Sequence, residues 1–129
     1  MRIEHVALWT NDLDRIKRFY GFYFGAVAGP HYMNSAKGFE SCFLQFTHGA
    51  RLEVMRTTTL PLSVPKTGTQ PFGLTHLAIS VGSEQGVDEL VRRLSDDGVP
   101  ILDGPRRTGD GYYEAVALDP DGNRIEICA

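Results

Sequence analysis

Two histidines and two glutamates in this chain recur in matching surroundings. His5 lies in IEHVALWT and His76 in LTHLAISV, while Glu53 lies in RLEVM and Glu126 in RIEIC. Imidazole nitrogens and carboxylate oxygens are donors of a divalent-metal site, and two carboxylates match the charge of a 2+ ion. Brought together without a cation, those carboxylates repel unless one is protonated. Singly, none of the four is informative: a lone strand histidine is ordinarily structural, and a lone strand glutamate is ordinarily solvated. Their recurrence at nearly constant spacing points to chemistry.

The elements that must position them are written twice. After the His5 strand comes NDLDRIKRFYGFYFGA, with Asn11 as the expected N-cap and Asp14 in the first turn. Leu13, Ile16 and Tyr20 form the apolar stripe, and Gly25 ends the helix. After the His76 strand comes SEQGVDELVRRLSDDG, capped by Ser83, striped by Val87, Leu90, Val91 and Leu94, and stopped at Gly98. Each helix leads to a Gly-Pro corner, Gly29-Pro30 or Gly104-Pro105. A strand follows (SCFLQF; YYEAVAL), then a tight turn (THGA; DPDGN) and a last strand. In the second turn Pro120 pre-sets φ and Gly122 tolerates a positive φ.

Each half therefore reads β-α-β-β-β, and the fold class is α+β. A single domain over 1–129 divides into module one at 1–56, a Thr- and Pro-rich linker at 57–73 and module two at 74–129. Strand alternation puts His5, Ala7 and Trp9 on one face and Val6 and Leu8 on the other. By the same rule His76, Glu53 and Glu126 point away from the apolar layer on which the helices pack, each expected at its strand's centre.

Bulk properties limit the partners. Hydrophobic residues make up 42% and charged residues 22% of the 129, with a net charge of −3. Lys and Arg form no stripe, so nucleic acid is not expected. No apolar run reaches the length of a membrane span. The opening MRIEHV has no signal-peptide character, and Cys42 and Cys128 form no CxxC pair, so a reduced cytoplasmic protein is expected.

On these residues the chain resembles the vicinal-oxygen-chelate (glyoxalase/bleomycin-resistance/dioxygenase) superfamily, over essentially its whole length. Within it the chain looks most like short bacterial glyoxalase I, lactoylglutathione lyase. That pattern is a His in the first strand, a Glu closing the first module, a His opening the second and a Glu after a DPDG turn. His5, Glu53, His76 and Glu126 match all four. Glu53 favours the glyoxalase type, since methylmalonyl-CoA epimerases carry Gln there and thiol transferases and dioxygenases use a His, His, Glu triad.

The resemblance implies two modules forming a curved sheet cup around one divalent ion (nickel, cobalt or zinc), with helices outside. It implies His5, Glu53, His76 and Glu126 as ligands. It also implies a hemithioacetal isomerised through an enediolate, with Glu126 as the base and Glu53 as ligand and second proton carrier. In the short relatives, module one of one chain pairs with module two of another, so a homodimer acting on a small molecule is expected. Trp9 stands where glyoxalase I usually has an arginine for a glutathione carboxylate, and supplies an apolar contact. Arg51 and Arg106 are candidates for substrate binding, with Arg107 and Lys37 behind them. Other enzymes of the superfamily and a bleomycin-resistance-type binding protein are the alternatives.

Overall fold

The computed structural model describes residues 1–60 and 72–129. The middle of the expected linker, 61–71, lies outside them. The chain divides into two compact units, Met1–Ser63 and Val64–Ala129, each with its own core.

Unit one runs β1 (His5–Trp9), α1 (Leu13–Phe24), β2 (Val27–Asn34), β3 (Phe39–Gln45) and β4 (Arg51–Thr57), with a 3-10 turn at Ser35–Lys37. Unit two runs β5 (Leu77–Ser80), α2 (Glu84–Asp96), β6 (Ile101–Arg107), β7 (Tyr113–Leu118) and β8 (Arg124–Cys128). The β-α-β-β-β reading holds in both. The sheet orders are also equivalent, β1-β4-β3-β2 and β5-β8-β7-β6. First and last strands of each unit pair in parallel, and the remaining neighbours are antiparallel.

Each helix buries its expected stripe. Leu13, Ile16 and Tyr20, joined by Phe19, are buried in α1, which lies against β3 and β4. Their partners include Leu44, Leu52 and Val54, all buried. In α2, Val87, Leu90, Val91 and Leu94 are buried, and Ala115, Ala117, Ile125 and Ile127 form the buried face of β7 and β8. Each large aliphatic side chain so covered contributes roughly 1.5–3 kcal/mol. Tyr113 Oη, donating to Asp88 at 2.7 Å, and an Arg107–Glu84 ion pair tie the second sheet to α2. Among the described residues no helix is long and apolar enough to cross a membrane.

Three local expectations need correcting. The N-cap of α1 is Asp12 rather than Asn11. Asp12 holds the extended φ of −145°, and its carboxylate accepts from Arg15 N at 2.9 Å. Asn11 Oδ1 instead accepts from the Arg15 guanidinium at 2.7 Å. Ser83 caps α2 as expected, accepting from Gly86 N at 3.0 Å.

The Gly-Pro corners lie inside strands, within β2 and β6, where pairing shifts register between Ala28 and His31 and between Asp103 and Arg106. A proline cannot donate to the ladder, so it sits at these irregularities. Gly104 has φ +81°, and a Cβ there would fall 2.5 Å from Glu114 O, so the bulge requires glycine.

The histidines, finally, enter strands rather than centre them. His5 is the first residue of β1, and His76 immediately precedes β5. Both sit where the parallel ladder with the last strand begins. Glu53 and Glu126 lie inside β4 and β8 as expected.

Candidate metal centre

Register explains why a histidine meets a glutamate in each unit. Ala7 stands opposite Glu53, and Ala78 opposite Glu126. Each histidine therefore lies two residues from the glutamate's level on the same sheet face. The intervening alanine is short enough to leave both side chains room. His5 Nε2 lies 3.8 Å from Glu53 Oε2, and His76 Nε2 lies 3.3 Å from Glu126 Oε2. The glutamates are mostly covered and the imidazoles about 40% exposed, so each pair is held by the sheet yet reachable from solvent.

In unit one a ring of contacts fixes the imidazole. Glu4 accepts from His5 Nδ1 at 2.5 Å and also pairs with Arg51. The Arg51 guanidinium lies over the Phe43 ring, 4.0 Å from its centroid, and Phe43 meets His5 edge-on at 5.4 Å. Phe43 stands opposite Glu53 across β3 and β4, which brings its ring to that place. The hydrogen bond to His5 first, and then Arg51, hold the Glu4 carboxyl below its ordinary range. An ionised carboxylate has no proton to give, so Nδ1 carries the hydrogen of that bond, and Nε2 is the nitrogen turned toward Glu53.

Unit two keeps the His–Glu pair but exchanges its surroundings, with Val116, opposite Glu126, in the place of Phe43. Thr75 stands in the place of Glu4, its hydroxyl 3.1 Å from His76 Nδ1, and Arg124 in the place of Arg51. The turn before β8 is held by Asp119. Its carboxylate accepts from Asp121 N at 2.9 Å, Asn123 N at 2.8 Å and Asn123 Nδ2 at 2.8 Å. Gly122 has φ +84°, as the turn was expected to need. This turn sets where β8 starts and so where Glu126 points.

Sequence reasoning missed Glu4 and Glu114. Glu114 stands opposite Cys128, two pairs along from Val116 opposite Glu126, and so shares the Glu126 face. It is 9% exposed. Burial, and then the charge of Glu126, push its carboxyl up, while Arg106 pulls the other way. Burial likewise pushes the Cys128 thiol up, with Glu126 and Glu114 adding to it, so Cys128 stays a neutral packed side chain.

The candidate substrate contacts are placed as follows. Trp9 is 45% exposed on the His5 face. Arg51 is engaged by Glu4 and Phe43. Arg106 is held by Asp103 at 2.7 Å and lies 3.6 Å from Glu114. Arg107 is paired with Glu84. His31 meets Glu40 at 3.1 Å, which also holds Arg56 at 3.1 Å, apart from the His5–Glu53 pair.

The structure thus presents two pairs. Among the described residues no cluster of three or more His, Cys, Asp or Glu side chains has metal-holding geometry. The donor chemistry of each pair, an imidazole nitrogen beside a carboxylate, fits half the ligand set of a divalent ion.

Comparison with known proteins agrees with this architecture. Residues 2–127 match the sequence model of the Glyoxalase/Bleomycin resistance protein/Dioxygenase superfamily. A Bacillus subtilis (strain 168) protein named Uncharacterized protein YqjT is 25% identical over 130 residues, covering 98% of each chain. The trypanothione-dependent glyoxalase I of Leishmania major superposes with a TM-score of 0.76 at 24% identity, over 99% of this chain and 86% of that one. Glyoxalase I of Zea mays superposes with a TM-score of 0.77 at 25% identity, over 98% of this chain but only 44% of its own longer chain.

Proposed function

Because the chain belongs to the Glyoxalase/Bleomycin resistance protein/Dioxygenase superfamily, we propose that it is a metal-dependent lyase or isomerase of the glyoxalase I kind, acting on a hemithioacetal or similar small oxygenated substrate. The observation that carries this reading is the twice-repeated pair of a histidine Nε2 facing a glutamate carboxylate on an exposed sheet face.

In this reading His5, Glu53, His76 and Glu126 together hold one divalent ion: nickel, cobalt or zinc. When bound, such an ion supplies Lewis-acid polarisation of a substrate oxygen. The protein's part is proton movement and alignment. Glu126 removes the proton from carbon and returns it to the neighbouring carbon. Glu53 is a ligand and the second carboxylate able to carry a proton. His5, its Nδ1–H fixed by Glu4, keeps one orientation through the cycle. His76 does the same against Thr75. The two half-sets come from two copies of the chain in a homodimer, and the protein works in the cytoplasm on a small molecule.

The test is metal analysis of the purified protein, followed by assay of metal-reconstituted protein against hemithioacetals of glutathione and other thiols. About one equivalent of divalent metal per chain and turnover of at least one hemithioacetal are expected. Protein that binds no divalent metal, yet binds small molecules, would instead be a binding protein on the same scaffold.

A further inference from the structure

One feature of unit one lies outside the metal chemistry: a band of aromatic rings crossing the sheet on the His5–Glu53 face. Trp9 on β1 meets Phe39 on β3 edge-on, with ring centroids 6.2 Å apart, and Phe39 meets Tyr32 on β2 at 6.1 Å. Trp9 stands opposite Met55, two residues beyond the Ala7–Glu53 level. The band therefore begins about 7 Å along the strand from that glutamate.

Trp9 and Tyr32 are 45% and 55% exposed. Large rings left open on a face carrying functional groups mark a place for a ligand. The surroundings decide what kind. Ala7, Met55 and Ser41 share this end of the face and carry no charge. Arg51, the Arg or Lys that the described strands place on this face, stands at the opposite end, at the level of His5, and is paired with Glu4. Those strand positions offer an anionic group no counter-ion, whereas a flat apolar group has three rings to pack on.

We propose that the Trp9–Phe39–Tyr32 band selects substrates carrying an aromatic or comparably flat apolar group about 7 Å from the oxygens that meet the His5–Glu53 pair. This rests on the metal-site reading and narrows its substrate class, away from thiol conjugates with anionic tails. The occupant is part of the small molecule, because the band is continuous with the His5–Glu53 face.

The test uses cobalt-loaded full-length protein and three hydroxamates sharing one chelating head. Acetohydroxamate has no tail, 4-phenylbutyrohydroxamate carries a phenyl tail, and succinate monohydroxamate carries a carboxylate tail. Trp9 is the single tryptophan of the chain, so its emission reports occupancy of the band directly. The phenyl probe should bind about ten-fold more tightly than the carboxylate probe and quench Trp9. Phe39→Ala and Tyr32→Ala should each shrink that ratio. Equal affinity, tighter binding of the carboxylate probe, or a ratio unmoved by both variants overturns the proposal.

Failure of the metal reading is seen separately, as a cobalt spectrum that acetohydroxamate leaves unchanged. In that event the phenyl probe is titrated into metal-free protein. A Trp9 quench lost in Phe39→Ala still supports the band. No quench, or a blue-shifted emission indifferent to every probe because a second chain covers the rings, overturns it.

Discussion

The Glu4 carboxylate accepts a 2.5 Å hydrogen bond from Nδ1 of His5, which leaves Nε2 of that imidazole facing Glu53. A carboxylate behind a ligating histidine fixes the tautomer, fixes ring orientation and raises the basicity of the nitrogen that binds. Glu4→Ala should therefore weaken divalent-metal affinity by about 10–100-fold with the fold intact. Competition against a chromophoric chelator, with circular dichroism as the control for folding, measures it. Unchanged affinity would make Glu4 merely the partner of Arg51.

Single alanine variants at His5, Glu53, His76 and Glu126 should each lose tight binding of the ion, by elemental analysis after dialysis. Chelation of the parent protein should lower its melting temperature at neutral pH, and nickel or zinc should restore it. A ligand that binds only the folded state stabilises it by mass action. Four variants that all retain one tight equivalent would move the site elsewhere.

Ligand sharing between two chains has its own signature. Co-refolding His5→Ala with His76→Ala should recover part of the metal binding, because one site of a mixed dimer then carries both lesions and the other carries neither. If each site lay within one chain, every site would keep a lesion and nothing would return. Sedimentation of the parent as a monomer at full occupancy would dispose of the dimer.

Glu114 supplies a pH prediction. Its carboxyl is raised, by burial first, so the unfolded chain gives up this proton at lower pH than the folded protein does. Its effect on stability is absent below the unfolded value near 4.5 and grows unfavourable as pH rises toward the raised folded value. In metal-free protein Glu114→Gln should melt higher than the parent at pH 7, with the difference gone at pH 4, by calorimetry across the range. A variant that melts lower at pH 7 would mean an ionised Glu114 paired with Arg106.

Gly104→Ala tests the second sheet's irregularity. The position has φ +81° and backbone only 2.5 Å from where a Cβ would fall, so the substitution should cost about 1 kcal/mol or more. Denaturant titration reads the loss, and a neutral outcome would show that the β6 bulge readily reshapes.

Much of this architecture was legible because it is periodic. The stripes of α1 and α2, the duplication and the outward face of His5 and Glu53 follow from spacings of 3.6 and 2. The misses share a cause, which is the breaking of period. Strands β2 and β6 were hidden by the Gly29-Pro30 and Gly104-Pro105 irregularities, where alternation slips. Glu4, one residue from His5, belongs by alternation to the other face, but it precedes the strand and its side chain is free to turn back. Glu114 in YYEAVAL reads as an ordinary exposed strand residue. Only the cross-strand register sets it beside Glu126.

The parallel pairing of first with last strand gives each His–Glu pair a further property. The two residues lie almost a full unit apart along the chain, and only closure of the whole unit brings them face to face. Closing so long a loop is entropically costly and comes late when local contacts form first. A nascent or truncated unit can hold a finished helix and hairpin and still offer a metal only scattered ligands. Under the proposed metal reading, the ion would therefore bind completed units and pass over incomplete ones.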